Sequence, residues 1–112
     1  MRTYRGFRVR KGGDTSVDGT VIVENGDDLG PLPMTALARS KSPSGFNWGY
    51  GGSGPAALAH SLLADVAGLP IADDQYQYFK SEVVAVWPQE RDWKYTETEI
   101  REWLAAKGAM PL

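Results

Sequence analysis

Four glycines, two aromatic residues and a serine are concentrated in the segment 48–54, directly before an apolar run that starts at Pro55. This composition is typical of a loop entering a helix, whose first N–H groups lack an intrahelical partner and carry partial positive charge. Such amides, with the Ser53 hydroxyl and the Tyr50 ring, could bind a phosphate, a carboxylate or a partner's backbone. Alternatively, the glycines only form a tight turn and the aromatic rings pack in the core. The binding residues predicted in this loop are Trp48, Tyr50, Gly51, Gly52, Ser53 and Gly54.

The glycine spacing in 49–54 also matches the fingerprint of dinucleotide-binding folds, and Asp73 stands about where a ribose-binding acid would be sought. That fingerprint needs a buried strand before the loop and a parallel strand after the helix. Here the segment before the loop is short, and 68–70 leads into another helical pattern. The loop also lacks the lysine of a phosphate-binding P-loop. We therefore predict no cofactor.

His60 is the one histidine of the chain, and there is no cysteine. This composition excludes thiolate chemistry and most histidine-based metal cages. A small enzyme built around Ser53 and His60 is one alternative, and it requires the two side chains to lie within hydrogen-bonding distance. Asp65 follows His60 by five residues and should project from another helix face. The sequence predicts no catalytic residue and no metal ligand.

Charge is distributed unevenly near the N-terminus, although the net charge is only −2. Residues 1–13 carry five basic side chains, and residues 14–28 carry five acidic ones. Pairing of the two segments in a hairpin would neutralise much of this charge. Alternatively, the arginines form an exposed basic face. The sequence places Arg5, Arg8 and Arg10 in the predicted binding surface.

Alternating apolar residues and turn signals predict a β-hairpin over about residues 1–28, with a bulge at Gly6. Residues 29–53 are rich in proline and serine and are predicted to be irregular, apart from a short helical turn at 34–38. A weak strand pattern at 93–95 could add to the N-terminal sheet.

Helical periodicity dominates the region 54–112. The first predicted helix covers 55–67, is capped by Ser53 or Gly54, and stops at Gly68. The second begins at Asp73 and Asp74 and ends before Pro88. A capping box at 96–99 starts a third helix that ends at Gly108. With 112 residues, the chain is expected to be one α+β domain in which an N-terminal antiparallel hairpin or small sheet packs against three helices.

The loop and helix of residues 46–59, the segments 62–65 and 79–84, and the region 93–104 resemble a family of small bacterial and bacteriophage proteins, domain of unknown function 6166. The resemblance covers nearly the whole chain and is loosest over 10–45. Since the family has no established activity, it transfers no catalytic residue. Its occurrence in phages and mobile elements implies a protein that binds and blocks a host enzyme, for example a defence complex in the manner of an anti-CRISPR.

The function expected from the sequence is thus that of a non-enzymatic binding protein with a protein partner. The alternative is a nucleic-acid or nucleotide binder whose glycine loop and N-terminal arginines contact phosphates, with help from Arg39 and Lys41. No apolar run reaches the roughly 18 residues of a membrane span, and no signal sequence is apparent. We therefore expect a cytoplasmic protein without a membrane partner. The oligomeric state is left open.

Overall fold

The computed structural model describes residues 1–10 and 17–110, which form an α+β fold as predicted. A four-stranded antiparallel sheet has the strand order β3-β2-β1-β4. The elements, in chain order, are β1 (Arg2–Arg10), β2 (Val17–Asn25), β3 (Asp28–Pro31), α1 (Ala36–Lys41), α2 (Ser53–Ala67), α3 (Leu69–Glu82), a 3₁₀ turn (Val84–Val86), β4 (Trp93–Thr96) and α4 (Glu97–Ala106).

The predicted N-terminal hairpin is confirmed, because β1 pairs with β2 in antiparallel register from Arg2 opposite Asn25 to Arg10 opposite Val17. The weak strand signal at 93–95 is also confirmed, since β4 lies along the other side of β1. The bulge expected at Gly6 is wrong: this residue pairs directly with Val21 in an unbroken ladder.

Gly6 is needed for packing rather than for a bulge. A Cβ atom at this position would lie 2.1 Å from Nε1 of Trp93, which belongs to the neighbouring strand. The absence of a side chain lets the indole lie flat against β1, where it stacks on Trp87 with ring centroids 4.3 Å apart. An interruption in the alternating pattern therefore marks the position of a large partner side chain.

The segment expected to be irregular contains two short elements. β3 forms the edge of the sheet and ends at Pro31, which is tolerated there because an edge strand needs no donor on its outer side. The helical turn predicted at 34–38 is α1, which starts two residues later. Its N-cap is Thr35, whose hydroxyl accepts the Ala38 N–H at 3.1 Å.

The first two predicted helices are present with shifted starts, and the second ends at Glu82, ahead of the 3₁₀ turn, rather than just before Pro88. The cap of α2 is Gly52 rather than Ser53 or Gly54. The second helix, α3, begins at Leu69, so Asp73 lies in its second turn and not at its start. Pro70 fits the first turn because that position needs no N–H, and Gly68 turns the chain between the helices with φ of +92°. The capping box between Thr96 and Glu99 is confirmed at the start of α4.

One hydrophobic core lies between the inner face of the sheet and the helices. α2 crosses its centre with most of its residues buried, which explains why the helix lacks a polar face. The largest fully buried side chains of the core include Trp48, Tyr4 and Phe79. α2 is thus held rigidly, and it positions the glycine loop at its start and His60 at its middle.

Candidate functional site

Trp48, the first residue of the predicted binding loop, is completely buried. Its indole Nε1 donates to the Arg91 carbonyl at 2.9 Å, and its ring meets Trp93 edge-on with centroids 5.8 Å apart. Trp48 therefore anchors the loop 46–54 to the segment before β4. Its position agrees with the interpretation of this ring as core, and it leaves no surface for direct contact with a partner.

Arg8 lies over Trp48, with its guanidinium carbon 3.8 Å from the ring centroid. Its Nε donates to the Gln89 carbonyl at 2.7 Å and an η nitrogen donates to the Trp48 carbonyl at 3.1 Å. Desolvation by burial lowers the pKa of Arg8 below its ordinary value, while the charge of Glu90 acts in the opposite direction. The Arg8 guanidinium thus joins the glycine loop to the segment 88–92 through a cation-π contact and two hydrogen bonds, and the Arg8 backbone N–H adds a third hydrogen bond to Asp92 at 2.9 Å.

Three glycines of the loop are required by close approach, among them Gly54, where a Cβ would lie 2.6 Å from Cβ of Asn47. Gly49 has φ of +83°, and a Cβ there would lie 2.3 Å from Cα of Gln89. A Cβ on Gly52 would lie 2.5 Å from the Tyr50 ring. The Tyr50 ring therefore folds back over the start of α2 while remaining 39% exposed. The loop therefore has the features of the purely structural alternative considered for the sequence, in which glycines permit a tight turn and close backbone approach.

The first helical hydrogen bond of α2 runs from the Ala56 N–H to the Gly52 carbonyl. The amides of Ser53 and Gly54 make no hydrogen bond to any residue in the described parts of the chain, and Gly52 offers no side chain to cap them. Ser53 is exposed and Gly54 is buried beneath Asn47 and Tyr50. Among the described residues these two donors therefore have no partner, and the neighbouring tyrosine covers them in part.

Two polar clefts adjoin the loop and share Asn47. One, of about 250 Å³, is lined by Arg8, Asn47, Gln89 and Glu90. The other, of about 310 Å³, is formed by the start of α2, the start of β2 and the segment after α1. It is lined by Gly19, Ser42, Ser44, Gly45, Phe46, Asn47, Tyr50, Ser53 and Gly54. We call the surface formed by these two clefts and the Tyr50 ring the loop surface. It brings together Arg8, Tyr50, Ser53 and Gly54 from the predicted set.

The other predicted arginines do not join this surface. Arg5 and Arg8 are separated by three residues on an unbroken strand, so their side chains leave opposite faces of the sheet. Arg5 Nε lies 2.8 Å from Glu24 on the face away from the helices, which is the cross-strand pairing expected for a hairpin. The backbone of Arg10 ends β1, and its side chain lies outside the described residues.

Arg2 is part of an ionic cluster at the opposite end of β1. Its Nε lies 3.7 Å from Asp65, and its backbone N–H donates to Glu97 at 3.2 Å. Desolvation by burial, followed by the hydrogen bond to Asp65, raises the pKa of Tyr4 well above its usual range. The backbone hydrogen bond from Arg2, followed by the bond from Arg101, holds the pKa of Glu97 below its ordinary value. This cluster ties β1 to α2 and α4.

His60 does not meet Ser53. The two residues are two helical turns apart, which separates their Cα atoms by about 10 Å. Instead, Nδ1 of His60 lies 2.7 Å from the Thr35 hydroxyl, and Nε2 lies 2.7 Å from a carboxylate oxygen of Asp73. The enzyme hypothesis built on Ser53 and His60 therefore has no geometric basis in the structure.

Sequence reasoning missed the set of Thr35, His60 and Asp73, which we call the hydroxyl–imidazole–carboxylate chain. The imidazole is almost completely buried, with 1% exposure, and it packs edge-on against Tyr76. Its partners come from the N-cap of α1 and the second turn of α3. A recognisable N-cap at Thr35 was the one available signal, since the packing of α1 on α2 has no sequence pattern of its own.

No group of three or more histidine, aspartate or glutamate side chains in the described regions could hold a metal ion. Nor is any helix in those regions long and apolar enough to cross a bilayer.

Residues 4–106 match the model of a family described as "Family of unknown function (DUF6166)". The match spans most of the chain, so the protein belongs to this family and the resemblance noted in the sequence is confirmed. Neither a curated protein nor a solved structure matches the chain.

Proposed function

We propose that this member of the DUF6166 family is a binding protein that engages a protein partner through the loop surface. The observation that carries the proposal is an exposed tyrosine at the larger of two polar clefts that share Asn47. Tyrosine is enriched at the energetic centres of protein interfaces because it contributes a large rigid contact and a polar tip. The family resemblance suggests that the partner is a host defence enzyme, which this protein would block by binding to it.

The rigidity of the loop surface supports this proposal. Arg8, Trp48 and Gln89 hold the two cleft walls together through the contacts already described. A preformed surface loses little conformational entropy on binding, which favours affinity. The partner should contribute a polar loop that carries an acidic side chain, because the larger cleft is lined by Ser53 and Gly54, whose amides have no hydrogen-bond partner among the described residues.

The arginine contacts favour a protein partner over a nucleic acid. Arg2 and Arg5 lie within ion-pair distance of carboxylates of this chain, and Arg8 donates to two backbone carbonyls. Contacts to phosphates would have to replace these interactions. A phosphate-binding surface usually presents several uncompensated cations on one face, whereas Arg5 and Arg8 lie on opposite faces of the sheet.

The test is capture of the tagged protein's partner from its host, followed by affinity measurement with purified components. Tyr50→Ala should weaken binding by about tenfold or more, as expected for an aromatic residue at the centre of an interface. Tyr78→Ala is the matched control, because Tyr78 is also an exposed tyrosine but belongs to α3 and lines neither cleft. The control should bind like the unaltered protein.

A second variant, Ser53→Glu, places a negative charge in the larger cleft. Because acidic residues are favourable in the first turn of a helix, this change should preserve folding while repelling an acidic partner group. Unchanged affinity of both Tyr50→Ala and Ser53→Glu, with folding verified by circular dichroism, would refute the proposal. A steep log-linear loss of affinity with salt would instead identify phosphate-dominated binding.

A further inference from the structure

We propose that the hydroxyl–imidazole–carboxylate chain is a hydrolytic site for short-chain acyl esters. This inference goes beyond the proposed binding function and rests on different residues. Thr35 is the nucleophile, His60 is the general base and Asp73 is the positioning residue. It gives the chain an activity where the sequence predicted none.

The hydrogen bonds assign the proton positions. A carboxylate only accepts hydrogen bonds, so the imidazole nitrogen facing Asp73 at 2.7 Å, Nε2, carries the proton. In the neutral ring, Nδ1 is then left with a lone pair, and it lies 2.7 Å from the Thr35 hydroxyl. This is the arrangement of an activated nucleophile: a hydroxyl on a base that a third group orients.

Burial keeps the base in this orientation. His60 is 1% exposed, and Tyr76 packs edge-on against its ring at 5.2 Å between centroids. The Asp73 side chain is largely exposed and reaches the ring from α3. The imidazole therefore cannot turn toward solvent, and Nδ1 stays directed at Thr35.

A cleft of about 170 Å³ opens beside the nucleophile and is lined by Pro33, Thr35, Ser61, Ala64 and Asp65. Its size suits an acetyl or propionyl group. The Ser61 hydroxyl accepts the Thr35 N–H at 3.3 Å, and no residue in the described regions accepts the hydrogen of that hydroxyl. Ser61 can therefore donate to the carbonyl oxygen of an ester as negative charge develops there. The Ala38 N–H, which donates to the Thr35 oxygen, stabilises negative charge on the nucleophile.

The reaction proceeds in two steps. A lone pair of the Thr35 oxygen forms a bond to the ester carbonyl carbon while Nδ1 of His60 takes the hydroxyl proton. The bond to the alkoxy group then breaks, and Nδ1 returns its proton to the departing oxygen, leaving an acyl-threonine ester. Water attacks this ester with Nδ1 again accepting and returning a proton, which releases the carboxylic acid and restores the Thr35 hydroxyl.

The experiment measures steady-state hydrolysis of p-nitrophenyl acetate by the full chain without a polyhistidine tag. The chain has one histidine and no cysteine, so no other imidazole or thiol contributes background. Turnover above the buffer rate is expected, and mass spectrometry of the quenched reaction should locate the acetyl group on Thr35. His60→Asn should lower the rate by roughly 10²–10⁴-fold, the usual contribution of a general base.

Three further variants separate catalysis from folding. Thr35→Ser keeps a hydroxyl and should remain active, whereas Thr35→Val should not. Asp73→Asn should lower kcat with little change in KM, because it disturbs the orientation of the base and not the cleft. Ser81→Ala, which changes an exposed serine of α3 outside both sites, is the control and should be unchanged. Wild-type turnover equal to that of folded His60→Asn, or acetylation confined to lysines and the N-terminus, would overturn the proposal.

Discussion

Nε1 of Trp93 occupies the space above Gly6, only 2.1 Å from where a Cβ atom on that glycine would lie. The first prediction concerns this contact. Gly6→Ala should reduce the free energy of unfolding by about 1–3 kcal/mol or more, because the indole is fixed between Trp87 and Trp48 and cannot move aside. Chemical denaturation measures the change.

Gly30→Ala is the control for this prediction. Gly30 also lies in the sheet, opposite Val23, but a Cβ there meets no atom within 4 Å. Its substitution should change the free energy of unfolding by no more than a few tenths of a kcal/mol. Equal effects of the two substitutions would show that loss of glycine flexibility, and not the Trp93 contact, determines the cost.

The second prediction concerns Thr35, which caps α1 and bonds to the buried His60. Thr35→Val should cost about 1–3 kcal/mol of stability, because it removes the cap and leaves Nδ1 of His60 without a partner. Thr35→Ser should retain most of the stability, since its hydroxyl can make both bonds. Thermal unfolding followed by circular dichroism distinguishes the two. A valine variant as stable as the serine variant would contradict the structural role of the hydroxyl.

Much of the fold was predictable because it depends on local patterns. The alternation in β1 and β2 and the capping box at 96–99 depend on neighbouring residues, and the structure has both as expected. The error at Gly6 arose because its cause, Trp93, lies far along the chain. β3 was missed because an exposed four-residue edge strand buries too little apolar surface to leave a pattern.

The candidate site was less predictable for the same reason. The glycine loop is a local signal, and the positive φ of Gly49 and the glycine cap of α2 agree with the tight turn that the sequence offered as one interpretation. By contrast, the sequence left open whether Trp48 is core or contact residue, and this depends on Arg8 and Arg91. The partners of His60 lie 25 residues before it and 13 residues after it, so no motif could identify them.

The third prediction concerns alkaline pH. Burial and the hydrogen bond to Asp65 raise the folded-state pKa of Tyr4, so its contribution to stability is complete below the unfolded-state pKa near 10.0. The free energy of unfolding should therefore fall as pH rises above that value. Burial raises the pKa of Tyr95 as well, which adds to this fall. Tyr4→Phe should reduce the alkaline dependence, measured by urea denaturation between pH 9 and 11.

Tyr78→Phe is the control for alkaline pH, because Tyr78 is exposed on α3. It should leave the pH dependence unchanged. If Tyr4→Phe and Tyr78→Phe gave the same alkaline profile as the unaltered chain, the contact between Tyr4 and Asp65 would not control this titration.

The fourth prediction concerns acidic pH. Glu97 accepts the Arg2 N–H and the Arg101 guanidinium, which lowers its folded-state pKa below the ordinary value of 4.5. Its contribution to stability is therefore present above pH 4.5 and is lost as pH falls through the lower folded-state value. Glu97→Gln should cost about 1–2 kcal/mol at pH 7 and flatten the stability profile below pH 4.5. Glu102→Gln, an exposed change on the same helix, should retain the slope of the unaltered chain. If Glu97→Gln kept that slope too, other carboxylates would have to account for acid unfolding, and the junction of β1 with α4 would be ruled out as its origin.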